Sequence, residues 1–162
     1  MGRGCCTNLL KIPILQVSIY QLTKHSVGEV LPRLLEKIVL GGQRTLVVEK
    51  DPAALQVLDK VLWTYSTNAF LPHGCLGDGF EAEQPVLLAP HFVGTNNPKV
   101  LVVLGLSKLE AFPGVERWVD MFDATDPQAV EEASKRAQFY KAQGWEQTRW
   151  RQGATGSWEA AP

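Results

Sequence analysis

The stretch RTLVVEKDP, Arg44 to Pro52, decides the fold. Arg44–Glu49 is a short apolar run without polar alternation, the pattern of a strand buried on both faces. Asp51-Pro52 follows at once. The Asp side chain accepts from free helix amides, and Pro suits the first helical position, where a missing N–H costs nothing. A buried strand that feeds directly into a helix is the repeating unit of a parallel α/β sheet. This helix runs to about Trp63, with Leu55, Leu58, Val61 and Leu62 on its apolar face.

The alternation recurs on both sides. Ile12–Tyr20 (IPILQVSIY) reads as a strand. Ser26-Val-Gly-Glu29 is a capping box and opens a helix. Val30, Leu31, Leu34, Leu35, Ile38 and Val39 recur at helical spacing. Pro32 fits only near a first turn, which shifts the expected start toward Leu31. Gly41-Gly42 offer a left-handed cap. Thr64–Gln84 reads as one long loop. Pro85–Ala89, Val100–Leu104 and Arg117–Phe122 are further strands. Asp126-Pro127 starts a last helix that ends at about Gln143, before Gly144, with Val130, Ala133, Ala137 and Tyr140 on its buried side. The expectation is a single-domain, Rossmann-like α/β sandwich with a mostly parallel central sheet. Residues 1–150 form the domain and 151–162 a flexible tail.

Composition narrows the function. The chain has 162 residues, 45% hydrophobic and 20% charged, an ordinary globular balance. Sixteen basic against seventeen acidic residues give a net charge of −1, which argues against broad phosphate-backbone binding. No apolar run approaches the ~18 residues that cross a bilayer. Cys5, Cys6 and Cys75 are odd in number, and two are adjacent, so a reducing compartment and a soluble cytoplasmic protein are expected. Met1-Gly2-Arg3-Gly4-Cys5-Cys6 resembles an acylation signal but has Cys6 where Ser or Thr is wanted, so an ordinary terminus is the simpler reading.

Motifs of catalysis are scarce. The loop Gln21–Ser26 has neither Gly-x-Gly-x-x-Gly nor Gly-Lys-Ser/Thr, so no nucleotide site or cofactor is expected. His73, Cys75 and His91, even with Cys5 and Cys6, fall short of paired zinc ligands. Cys75 with His73 leaves open a small thiol enzyme. His25 reads as an exposed loop residue, and Asp120 and Asp123 as solvated acids at a strand end.

Two stretches suggest binding instead. Trp63, Tyr65 and Phe70 lie within Leu62–Gly74, either plugging the core or forming a contact surface, where aromatics are enriched. Lys135, Arg136, Lys141, Arg149 and Arg151 are interleaved with Phe139, Tyr140, Trp145 and Trp150. They read as a solvated helix face with Glu131–Lys135 and Glu132–Arg136 pairs, or as a basic-aromatic pocket for an acidic peptide or free carboxylate. Stacking of single-stranded nucleic acid is a weaker use at this net charge.

In order, Thr45-Leu46-Val47-Val48, Leu58-Asp59-Lys60-Val61-Leu62-Trp63, Phe70-Leu71-Pro72-His73-Gly74, Gln84–Leu88, Val100–Leu104 and Arg117–Asp123 resemble the chi subunit of bacterial DNA polymerase III holoenzyme, in its alphaproteobacterial form. The resemblance covers about residues 14 to 150. It implies a non-enzymatic accessory subunit of the clamp-loader assembly, a monomer or heterodimer without cofactor. Such a subunit binds the psi subunit on one side. On the other it binds the acidic C-terminal tail of single-stranded DNA-binding protein (SSB), and so meets DNA only indirectly. The resemblance assigns the psi-facing surface to Trp63 and Phe70, with Leu71 and Pro72 beside them; a DNA-repair helicase competes there. The family's basic stripe falls on Val130, Ser134, Ala137 and Lys141, of which only Lys141 is basic. Lys135 and Arg136 are the neighbouring substitutes for the SSB tail, and Phe122 is the expected pocket wall.

Overall fold

A computed structural model describes residues 15–106 and 108–162. Cys5, Cys6 and the Ile12–Ile14 part of the expected first strand lie outside the described residues. The elements are β1 (Gln16–Leu22), α1 (Val27–Leu40), β2 (Thr45–Val48), α2 (Pro52–Thr64), β3 (Gly74–Cys75), β4 (Val86–Ala89), β5 (Val100–Val103), β6 (Arg117–Asp123), α3 (Pro127–Ala142), β7 (Glu146–Gln152) and β8 (Trp158–Ala161), with a 3₁₀ turn at Glu81–Glu83. They form one eight-stranded sheet in the order β3-β4-β2-β5-β6-β1-β7-β8. Every pairing is parallel except β7 with β8. No helix among the described residues is long and apolar enough to cross a membrane.

Each of β2, β4 and β5 is buried at all of its positions, as their unbroken apolar runs require. Alternate residues then feed two cores. Val47, Leu88, Val102, Val119 and Met121 meet Leu31, Leu35 and Ile38 of α1 and Leu58 and Leu62 of α2. Leu46, Leu87, Leu101, Val103 and Trp118 face the other side, toward Tyr140 of α3 and the loop residues Phe92 and Phe112. The result is a three-layer sandwich.

The helix ends follow their local chemistry. Glu29 accepts from the Ser26 N–H at 2.7 Å and from its hydroxyl at 3.1 Å. This fixes the start of α1 at Val27, not near Leu31. Pro32 therefore sits inside the helix, buried, and leaves the Gly28 carbonyl without its usual donor. At the other end Gly41 stays right-handed, and Gly42, at φ 80°, makes the left-handed turn. Asp51 and Asp126 accept from the amides of Ala53 and Gln128.

Two readings need correction. The loop 64–84 contains β3, which extends the sheet by pairing Gly74 with Leu87 and Cys75 with Leu88. The expected tail 151–162 instead completes β7 and supplies β8, an antiparallel hairpin that joins Gln152 to Trp158 and Arg149 to Ala161.

Candidate functional site

Alternation along β6 turns Trp118, Asp120 and Phe122 toward α3. Ala133, Arg136 and Tyr140, three and four residues apart, turn toward the sheet. The two rows meet in a closed polar network. The Arg136 Nε and Nη2 donate to the two Asp120 carboxylate oxygens at 2.8 and 2.9 Å. Nη1 donates to the Leu106 carbonyl at 2.6 Å. The Tyr140 hydroxyl donates to Asp120 Oδ2 at 2.6 Å and accepts from Trp118 Nε1 at 3.1 Å. Asp120 and Arg136 are both 1% exposed. Asp120 is thus no solvated strand-end acid. Arg136, expected to receive a tail, spends its whole guanidinium inside the protein.

Beside this network runs a groove of about 520 Å³ between α3 and the β1–β7 edge. Val130, Ser134, Ala137 and Lys141 line one wall; Ile19, Phe122, Gln147 and Arg149 lie among the others. Phe122 and Lys141, both expected at a tail site, are therefore brought together. Lys135 is not among the walls, and its Nζ lies 3.4 Å from Glu131 Oε1. Arg149, one of the basic residues read as a basic-aromatic pocket though not assigned to the tail site, joins Phe122 and Lys141. Its place follows from register, since Arg149 pairs with Ile19 and so faces α3. The signal was present in the alternation of Gln147, Arg149 and Arg151 along β7.

On α2 and the loop after it, Trp63 and Phe70 stand out of the surface, 56% and 71% exposed, with ring centroids 6.0 Å apart. Beneath them His73 is buried against Trp63 at 4.7 Å. Its Nδ1 donates to the Leu71 carbonyl at 2.8 Å, and Nε2 lies 3.0 Å from Asp59 Oδ1. The aromatic pair thus rests on a fixed platform. Leu71, at 2% exposed, is core and offers a partner no contact area, while Pro72 is half-buried.

The thiol reading fails on the same loop. Burial, then the nearby carboxylates of Asp59 and Asp78, push the Cys75 thiol up to about 12. His73 is bound to Asp59 and Leu71 and does not act as its base. Among the described residues no three His, Cys, Asp or Glu side chains gather as metal ligands.

The turn after β1 is also occupied from within. β1 leads to α1 on one face and its neighbour β6 leads to α3 on the other, so their ends form the crevice where open α/β sheets hold ligands. There the Gln152 Oε1 accepts from three successive amides, Thr23, Lys24 and His25, at 3.0, 2.9 and 3.2 Å. Its Nε2 lies 3.0 Å from His25 Nδ1. The protein's own carboxamide fills the place of an anion.

The family whose sequence profile matches residues 15–148 is described as "DNA polymerase III chi subunit, HolC". A Rickettsia prowazekii protein named "Probable DNA polymerase III subunit chi" is 29% identical over 107 residues, which covers 66% of this chain and 65% of that protein. A Pseudomonas aeruginosa protein named "DNA polymerase III subunit chi" is 28% identical over 117 residues, covering 72% of this chain and 80% of that protein. The chain thus spans a little under two thirds of the Rickettsia relative and more of the Pseudomonas one.

Proposed function

Since the chain belongs to the DNA polymerase III chi subunit family, we propose that it is a non-catalytic adaptor of the replication machinery. It acts in the cytoplasm, holding the acidic C-terminal tail of SSB in the α3 groove. The observation that carries this reading is the pairing of Lys141 and Arg149 with an apolar wall of Ile19, Phe122 and Val130 in one groove. A chain terminus needs both features. A charge-assisted bond to the carboxylate contributes about 1.5–3 kcal/mol. A micromolar complex needs about 8 kcal/mol, so an apolar side chain must be buried too. The groove offers both cations beside an apolar wall. Many SSB copies along one strand then multiply a weak contact through local concentration.

The test is a titration with a labelled peptide copying the SSB C-terminus of the same organism, against a peptide lacking the last residue. Saturable binding to the intact peptide alone is expected, weakened about tenfold or more by Lys141→Ala or Arg149→Ala. Equal binding of both peptides overturns the reading.

The second surface supports a second partner. Two large exposed aromatics in contact, braced by a buried His, have the form of an interface anchor. A psi-like clamp-loader protein is the partner proposed there, with a repair helicase as its competitor.

A further inference from the structure

α1 packs over β2 and β6 and α2 over β4, and Leu22 and Tyr20 of β1 join the core beneath α1. Register places Tyr20 beside Trp150 and Gln152 beside Trp158 on that face. The Tyr20 and Trp158 rings meet edge to face with centroids 5.1 Å apart. A cavity of about 780 Å³ opens here, walled by Tyr20 and Trp158 on the sheet side and by His25, Arg33 and Lys37 on the α1 side. Arg33 and Lys37 are one helical turn apart, exposed, and in none of the ion pairs among the described residues. Glu29, the acid in the wall, has its carboxylate taken up by Ser26. Trp158 lies beyond the residues 15–148 that match the family, whereas Tyr20, Arg33 and Lys37 lie within them.

We infer that this cavity binds single-stranded DNA directly, with bases stacked on Trp158 and Tyr20 and phosphates held by Arg33 and Lys37. Aromatic side chains on a sheet face, flanked by unpaired cations, are how sheet-based modules grip single strands without reading sequence. An acidic peptide would use the cations but leave the ring faces idle. The low net charge sets the scale: two phosphates, a short footprint, and a contact that adds to other tethers. The site is separate from the α3 groove and does not rest on the tail reading.

The experiment is fluorescence anisotropy of the full-length protein with a labelled oligothymidylate, starting at about 25 mM salt. Saturable binding is expected, with log affinity falling against log salt at a slope of about −1.4, two phosphates at 0.7 each. The double variant Arg33→Glu/Lys37→Glu, on the exposed side of α1, abolishes it. Trp158→Ala weakens it about tenfold, the order set by one lost stack. Both variants bind the SSB-tail peptide as the wild type does. No binding at low salt overturns the inference. So does binding that survives the charge reversal, or binding lost instead in Lys141→Ala/Arg149→Ala, which would move the strand to the α3 groove. Oligonucleotide binding without peptide binding would sink the tail reading and leave this one standing.

Discussion

Asp120 ties β6 to α3. Three donors from two residues converge on its carboxylate, away from water. Burial and the adjacent Asp120 push the Tyr140 hydroxyl up, so it remains a donor. Arg136→Ala leaves a buried carboxylate without its countercharge, and a loss of about 3–5 kcal/mol is expected in urea melts. Arg136→Lys keeps the charge but not the fork, and recovers only part of this. Cys75 gives a prediction in pH. Its folded thiol ionises at about 12, against 9.0 for an ordinary thiol. Alkylation of the native protein should therefore stay slow through pH 9 and accelerate only toward 12. For the same reason this thiol's contribution to stability is complete below pH 9.0 and is lost as the pH rises toward 12, because the unfolded chain ionises first. Neither residue's role was legible in the sequence. Lys135-Arg136 after Glu131-Glu132 has the pattern of a solvated helix face, and only the spacing of Ala133, Arg136 and Tyr140 hints that the Arg turns inward.

Among the elements, the β7–β8 hairpin is the one whose removal is most instructive. It is stapled to the first turn of the domain by one side chain, Gln152, which satisfies three backbone amides. Gln152→Ala should cost about 1–3 kcal/mol through those abandoned donors, read as a lowered urea midpoint. The turn leaves little space either. Gly156 sits at φ 82°, and a Cβ there would come within 2.7 Å of the His25 ring, so Gly156→Ala should destabilise as well. The strands that sequence pattern finds most directly are those buried on both faces: β2, β4 and β5 are unbroken apolar runs, while β1 and β6 show as apolar runs interrupted by polar residues. β3 is too short for any pattern. β7 and β8 lie at the sheet's edge, where polar and aromatic residues alternate around Gly153 and Gly156. Their composition is that of a tail, and only pairing makes them strands.

At the scale of the whole molecule, contact surfaces are distributed over a rigid sheet. The Trp63–Phe70 pair belongs to the α2 side and the Lys141–Arg149 groove to the α3 side. Because both aromatics are exposed, Trp63→Ala/Phe70→Ala should leave the melting curve within about 0.5 kcal/mol of wild type while abolishing capture of a psi-like partner. Unfolding of that variant would return the pair to the core. The fold class was readable because strand and helix alternate in sequence. The groove was only half readable: Phe122 and Lys141 follow from periodicity and resemblance, whereas Arg149 needs the β1–β7 register. That register has a further consequence, in time. β1 is translated first among the described strands, yet it pairs only with β6 and β7, about a hundred residues later. At about 5–20 residues per second, this central strand waits several seconds on the ribosome with both edges bare. Nascent chains halted before residue 117 should therefore be open to proteolysis at β1, and those released after 152 resistant, so that β7 closes the fold.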